Sequence, residues 1–272
     1  MSAVALSVVI LSWNEREQLK RCLGELRAHP PERSMEIIIV DQGSTDGTLE
    51  MLSERFADAH VIANQTNKGI SVGRNQGMHI CRGRYIAMLD SDAYVTDGAL
   101  ETLAGYLDEH PDVGLAGPRL ENVDGSLQLS CRRFPTPMAL LANRVARLED
   151  HPSRIRHLMI GEGHDIAMPV QYVLGATMFF RRSSAAQVGG FVESFPFGCD
   201  DADWGLGMWS KRWRVDYVPT ATVVHDYRRR AAQRLLNPHN LSIAFSFLLV
   251  AVRRWRVLRD APWRRVEGGH SS

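Results

Sequence analysis

Residues 85–92 read YIAMLDSD: five residues without charge, Tyr85–Leu89, and then Asp90, Ser91 and Asp92. A run this short and this apolar reads as a strand covered on both faces. Strands of open α/β sheets carry their ligands beyond the carboxyl end. Alternate residues of an extended segment point the same way, so both carboxylates can face one ligand. Hard oxygen donors of this kind suit Mg²⁺ or Mn²⁺ shared with a diphosphate. A polar loop in which one Asp caps the next helix would use the same residues, so the pair alone leaves both readings open.

The segments around this stretch repeat its pattern. Leu6–Leu11 (LSVVIL) is a β-rich run broken by Ser12, Trp13 and Asn14. Glu15–Leu26 then has helical spacing through Leu19, Cys22, Leu23 and Leu26. Glu36–Val40 is a second strand, ending in Asp41–Gly47 (DQGSTDG), a turn that supplies a helix N-cap. A helix follows to about Phe56, and His60–Ala63 is a third strand. Asp41, at a strand end, can accept hydrogen bonds from a base or ribose, or simply close an Asx-type turn. Gly69–Cys81 is a helix whose Gly69, Gly73 and Gly77 predict close packing on a sheet. They do not match G-x-G-x-x-G, so the dinucleotide fingerprint is absent. Arg74, with Lys68 before it, can approach a phosphate or the Asp41 carboxylate, or stay solvated. A helix over Asp97–Glu109 and a strand at Val113–Gly117 complete the half. The alternation predicts an α/β fold, a mainly parallel central sheet with helices on both faces.

The second half is less regular. Asp124-Gly125 predicts a hairpin turn between Leu120–Val123 and Ser126–Ser130. Pro135 and Pro137 precede a helical Met138–Leu148. Glu149–Met168, rich in His, Gly and charge, reads as a loop or lid. Gln171–Arg181 reads as one strand, Asp201–Ser210 as a helix, and Val215–Val218 and Thr222–Val224 as short strands.

Composition narrows the function. The chain has 272 residues, 44% of them apolar, enough for one large domain with an appendage. Net charge is +1, which argues against nucleic acid as a partner. From Asp226 onward there are ten Arg, no Lys and three acidic residues, so the tail carries +7 and the remainder −6. Within the tail, Leu241–Val252 is an apolar run of 12 residues, too short to span a bilayer. Arg253, Arg254, Trp255, Arg256, Arg259, Trp263, Arg264 and Arg265 follow it, and Arg228, Arg229, Arg230 and Arg234 precede it. Such an amphipathic helical extension fits an anionic membrane surface, or packs on the catalytic domain or a second subunit. Cys22, Cys81, Cys131 and Cys199 form no C-x-x-C pair and are expected to be reduced thiols of a cytoplasmic protein. Met1 runs into a strand-like segment with no basic n-region, so no signal peptide is expected.

The motifs, taken in order, resemble the inverting glycosyltransferase family 2 with the GT-A fold. They are Ser7–Glu15 (SVVILSWNE), Val40–Gly47, Asn67–Gly77, Tyr85–Val95, Tyr172–Arg182, Val188–Phe195 and Cys199–Trp209. Each is weak alone; their order is not. The resemblance implies transfer of a sugar from a UDP- or dTDP-linked donor to a glycan or lipid-linked acceptor in cell-surface polysaccharide synthesis. It implies that Ser12, Trp13, Asn14 and Asp41 border the nucleoside, and that Asp90 with Ser91 meets the nucleotide. Asp90 and Asp92 match the metal-binding pair. A His in the place of His225 completes the Mn²⁺ or Mg²⁺ site in members similar to galactofuranosyl- and rhamnosyltransferases. Asp200-Asp201-x-Asp203 matches an acidic motif that usually reads E-D-x-D, with Asp201 as general base and Asp200, Asp203 and Trp204 toward the acceptor. Asp200 replaces the commoner Glu, and Gln42 a residue that is often Asn. The expected division is a GT-A-like catalytic domain over 1–226, with a nucleotide-sugar half (1–118) and an acceptor half (119–226), and a helical extension over 227–272. The oligomeric state is left open. Two rivals remain. A nucleotidyltransferase would want a Gly-rich basic loop after the first strand. A degenerate carbohydrate-binding protein would be expected to lack some of Asp92, Asp201 and His225.

Overall fold

The structure is a computed structural model and describes residues 4–143, 145–195, 198–227 and 238–267. In chain order the first half holds β1 (Leu6–Ser12), α1 (Arg16–Ala28), β2 (Met35–Asp41), α2 (Thr48–Arg55), β3 (His60–Ala63), α3 (Ile70–Ile80), β4 (Tyr85–Asp90), β5 (Ala93–Val95), α4 (Ala99–Glu109) and β6 (Val113–Glu121). The second half holds β7 (Leu127–Gln128), β8 (Cys131–Arg132), α5 (Pro137–Ala142), α6 (Pro152–Leu158), β9 (Met168–Pro169), β10 (Tyr172–Val173), β11 (Thr177–Arg181), α7 (Arg182–Val188), α8 (Asp200–Ser210) and β12 (Arg214–His225). Helices α9 (Pro238–Arg253), α10 (Trp255–Asp260) and α11 (Arg264–Glu267) close it.

One sheet runs in the order β3-β2-β1-β4-β11-β6-β12-β5. Strands β3, β2, β1 and β4 are mutually parallel, as are β6 and β12, while β11 runs antiparallel between β4 and β6. Alternation along each strand sorts its side chains onto two cores. Val8, Ile10, Ala87 and Leu89 face Leu19, Leu23, Leu103 and Leu107 of α1 and α4. Val9, Ile86 and Met88 face the other side, with Trp204 and Met208 of α8 and Trp263 of the tail. Covering both faces is why these strands read as unbroken apolar runs, each buried Val, Leu or Ile contributing about 1.5–3 kcal/mol. On α3, a Cβ at Gly77 would lie 2.3 Å from Val9 Cγ1, and one at Gly73 would lie 3.0 Å from Leu11 Cδ2. Glycine at those two positions therefore lets the helix lie directly on β1.

Register aligns the strand ends. Ser12 pairs with Asp41, and Leu11 with Asp90, so three ligand-type residues share one edge of the sheet. At the far edge β5 pairs antiparallel with β12, with His225 opposite Ala93. The residue before Ala93 is Asp92, so this pairing alone brings the imidazole to the carboxylate.

The structure departs from the sequence reading in the second half. The expected lid over Glu149–Met168 contains α6, whose start is capped by His151 Nδ1 accepting from Ser153 N at 3.1 Å. The expected helix over Met138–Leu148 is α5 and then a 3-10 turn, Ala146–Leu148. Gln171–Arg181 is two strands separated at Leu174-Gly175-Ala176. There the Gly175 carbonyl accepts from Arg74 Nη2 at 2.7 Å and its N–H donates to Asp201 Oδ2 at 3.2 Å, so the peptide leaves the ladder. The two short strands near the end are one strand, β12, with a register shift between Val218 and Thr222.

The C-terminal helices pack on the preceding α/β body. Val250 is fully buried, Phe247 meets Phe134 edge-on at 5.6 Å, and Trp263 meets Trp209 edge-on at 6.0 Å. Among the described residues no helix is long and apolar enough to cross a membrane. Arg228, Arg229, Arg230 and Arg234 lie outside the described residues.

Candidate active site

A cavity of about 550 Å³ opens at the carboxyl edge of β1 and β4. Its wall includes Ser12, Trp13, Gln42, Lys68, Asp90, Ser91, Asp92, Asp200, His225 and Tyr227. Two loops form one end of it. Asn14 takes a left-handed conformation (φ 54°), and its Oδ1 accepts from Thr45 N at 2.8 Å, tying the loop after β1 to the loop after β2. Asp41 is completely buried. Its Oδ2 accepts from Gly43 N and Ser44 N at 3.1 and 3.0 Å, the Asx turn. Its Oδ1, like Ser12 Oγ, has no partner among the described residues. A buried carboxylate oxygen left open costs free energy unless something donates to it. Trp13 stands half-exposed at the mouth. Lys68 is placed by Gln42, whose Oε1 accepts from Lys68 N and whose Nε2 donates to Gly69 O.

On the floor, Asp90, Asp92 and His225 each present a ligand atom, all within 4.8 Å of one another. His225 Nδ1 lies 2.7 Å from Gln128 Oε1, an oxygen that can only accept. The ring proton therefore sits on Nδ1, and Nε2 faces Asp92 Oδ1 at 3.3 Å. Two carboxylates and an oriented imidazole are a donor set that fits Mn²⁺ or Mg²⁺, with the outer hydrogen bond fixing the His tautomer. The electrostatics agree. Burial pushes the Asp90 carboxyl up, Arg74 opposes it and Asp92 adds to it. Burial pushes His225 down, but the hydrogen bond and charge of Asp92 outweigh it, so without a cation the imidazolium, with Nε2–H on Asp92, is favoured, and a bound ion would displace that proton. Ser91, on the cavity wall, donates to Oε2 of Glu15, another lining residue.

Arg74 is buried between this cluster and α8. It pairs with Asp200 Oδ2 through Nη1, and its Nη2 reaches Asp90 Oδ1 at 3.4 Å. Its donors are thus committed to protein oxygens rather than to a phosphate, which corrects the expectation for it. Asp203 is also corrected. It is 2% exposed and held by Arg254 Nε and Nη2 at 2.8 and 2.9 Å, so it does not reach an acceptor. Trp204 is 1% exposed, stacks on Phe191 at 4.7 Å and donates Nε1–H to Gly189 O at 3.0 Å. It anchors α8 in the core and meets no acceptor. Asp201 alone of the acidic turn has no cationic partner in hydrogen-bond reach among the described residues. Among these, its oxygens accept from the backbone N–H of Ala202 and Gly175. Burial first, and the Asp200 charge next, push its carboxyl up to about 6, against Arg74. A carboxylate poised there is a competent proton acceptor.

Sequence reasoning missed Gln128, Gly175 and Arg254. Gln128 lies on a two-residue strand without a pattern, and Arg254 acts across 51 residues. Gly175 carried a signal, because glycine inside a strand pattern marks a close backbone approach.

Residues 7–187 match the family model described as Glycosyl transferase family 2. The N-acetylglucosaminyl-diphospho-decaprenol L-rhamnosyltransferase of Mycobacterium tuberculosis is 27% identical over 247 residues, covering 81% of this chain and 75% of that protein. The pre-mycofactocin glycosyltransferase of the same organism is 32% identical over 231 residues, and the match spans 82% of this chain but only 43% of that protein. Among solved structures, S. aureus TarS 1-349 in complex with UDP-GlcNAc superposes with a TM-score of 0.59 at 18% identity, over 91% of this chain and 66% of that one. GalNAc-T7 with UDP, GalNAc and Mn²⁺ gives a TM-score of 0.63 at 16% identity, over 84% of this chain and 44% of that one. These two likenesses establish the fold. With its mostly parallel sheet and the family match over two thirds of its length, the chain belongs to glycosyl transferase family 2, has the GT-A fold, and is a glycosyltransferase.

Proposed function

We propose that this enzyme transfers a sugar, with inversion, from a UDP- or dTDP-linked donor to a hydroxyl of a glycan or lipid-linked acceptor in cell-surface polysaccharide synthesis. The observation that carries the reading is the convergence of Asp90, Asp92 and His225 on the floor of a cavity whose other wall carries Asp200. Residues 1–118 hold the donor, and the acceptor enters from the side of 119–226. The nucleoside lies against Ser12, Trp13 and Asn14 and donates to the open Asp41 Oδ1. Asp90, Asp92 and His225 hold Mn²⁺ or Mg²⁺, which when bound neutralises the charge growing on the leaving diphosphate. Asp201 accepts the proton of the attacking hydroxyl as that oxygen closes on the anomeric carbon from the face opposite the diphosphate. Arg74 neutralises Asp200 and reaches Asp90, so that Asp201 is the carboxylate of the turn left to take the proton. Reaction in the cytoplasm suits the reduced, buried thiols.

The test is a panel of nucleotide sugars with Mn²⁺ or Mg²⁺, scored for donor hydrolysis and protection against thermal unfolding. The reading predicts one or a few donors that protect only with metal and are hydrolysed. Equal protection in EDTA across the panel would overturn the metal assignment. The absence of any protecting nucleotide would overturn the donor assignment.

A further inference from the structure

The tail was expected either to meet a membrane or to pack on the domain, and α9 has a face for each. Ile243, Ser246, Phe247, Val250 and Arg254 turn toward the catalytic domain. On the other side stand Phe245, Leu248, Val252 and Trp255, 52%, 59%, 71% and 62% exposed. Their spacing of three, four and three residues keeps them in one stripe along the helix. Four large apolar side chains in a line, each more than half exposed, are unlike the scattered apolar residues of an ordinary surface.

The charge around the stripe identifies what covers it. Between Pro238 and Arg259 the sequence contains four Arg and no Asp, Glu or Lys. Arg254 is spent on Asp203; Arg253, which also reaches Asp203 at 3.3 Å, Arg259, paired with Asp260, and Arg256 are exposed beside the stripe. Arg256 has no carboxylate partner among the described residues. An apolar line with an indole at one end and guanidinium groups along its flank matches the acyl boundary and headgroups of an anionic bilayer. A second protein copy would have to bury the same arginines against acids, and the single acid of α9 and α10, Asp260, already pairs with Arg259.

Position ties the stripe to the active site. At the start of α9, the Ile243 carbonyl accepts from Cys199 Sγ at 3.7 Å, and Ile243 Cγ1 would lie 3.9 Å from a Cβ at Gly198. Gly198 lines the cavity, and Cys199 precedes the acidic turn of α8. We infer that the outer face of α9 and α10 docks on an anionic membrane surface, and that docking sets the acceptor side of the cleft beside the bilayer. The inference stands apart from the metal and base assignments: either can fail without the other.

The experiment is flotation of the full-length protein with vesicles of phosphatidylglycerol and phosphatidylcholine, with phosphatidylcholine alone as the comparison. The protein should float with the anionic vesicles, less so at high salt, and stay at the bottom with the neutral ones. Leu248→Glu with Val252→Glu should abolish flotation and leave the thermal midpoint unchanged, because both side chains already face solvent. Arg256→Gln should weaken partitioning by about fivefold. Two results would overturn the inference. One is wild-type protein that does not float with anionic vesicles. The other is a dimer in sedimentation that the double substitution splits, which would show that a second copy covers the stripe.

Discussion

At the end of β4, Asp90 and Asp92 face one imidazole, and Asp90 shares Arg74 with Asp200; at the start of α8, Arg74 takes Asp200 and Arg254 takes Asp203. Both clusters sit where an element ends against the cleft, and both are built from aspartates. They differ in how their charge is met. In the first, negative charge is left over and the ligand atoms converge within 4.8 Å, an arrangement that suits a cation from solution. In the second, guanidinium groups from α3 and from the tail flank the turn and leave Asp201 held by backbone N–H groups alone. Uncompensated charge makes a binding site. Nearly compensated charge makes a titrating group whose pKa its neighbours set.

The largest expected effect is on Asp201. Asp201→Asn should lower turnover by about 10²–10⁴-fold while nucleoside-diphosphate affinity, read by calorimetry with Mn²⁺, is retained. If Asp200→Asn rather than Asp201→Asn gives the larger loss, the roles within the turn are reversed. Next is the arginine from the tail. Arg254→Ala removes the two shortest hydrogen bonds to buried Asp203, leaves it Arg253 Nε at 3.3 Å, and should cost up to about 3 kcal/mol in denaturant unfolding. Arg254→Ala combined with Asp203→Asn should recover most of that loss, and no recovery would mean that Arg254 acts by packing alone.

The metal cluster gives a somewhat smaller effect. Mn²⁺ at 100 times its dissociation constant should stabilise the wild type by about 2.7 kcal/mol. Asp92→Asn or His225→Ala should remove most of that gain, and a variant that keeps the full gain would show the ion binding elsewhere. The smallest effect is the pH dependence of stability. Asp201 is raised above its ordinary 3.8 to about 6, so the stability its protonated form provides is complete below 3.8 and is lost as pH rises through about 6. Asp201→Asn, which keeps an uncharged side chain there, should unfold roughly 2–4 °C above wild type at about pH 8. The gap should close on acidification to about pH 4, and a gap independent of pH would show that Asp201 is not the group titrating.

Much of the first cluster was legible from residues, because it depends on local pattern. An apolar run places Asp90 and Asp92 at a strand end, and parallel register then aligns Ser12 and Asp41 with them. His225 was legible only by resemblance: its meeting with Asp92 follows from the β5–β12 pairing, which joins residues far apart in the chain. The compensation of the second cluster was not legible. Arg74 reaches Asp200 across 126 residues, and no periodicity separates a solvated arginine from one folded inward. Trp204 was misread for a related reason, since an indole beside an acidic motif serves a core and a sugar platform equally well. The broken strand at Gly175 was missed although the glycine itself marked a close backbone approach; the groups that approach, Arg74 and Asp201, come from other elements.

The clasp of Arg254 on Asp203 also bears on how the protein comes into being. When α8 leaves the ribosome, Arg74 has already been made and can meet Asp200, but Arg254 follows Asp203 by 51 residues. At about 5–20 residues per second, the nascent chain carries a half-neutralised acidic turn for roughly 3–10 s. During that interval the nucleotide-binding strands can already assemble, while the helix bearing Asp201 waits for its last counter-charge. The enzyme is therefore expected to acquire donor binding before turnover as it is synthesised, with the late arginine setting the order.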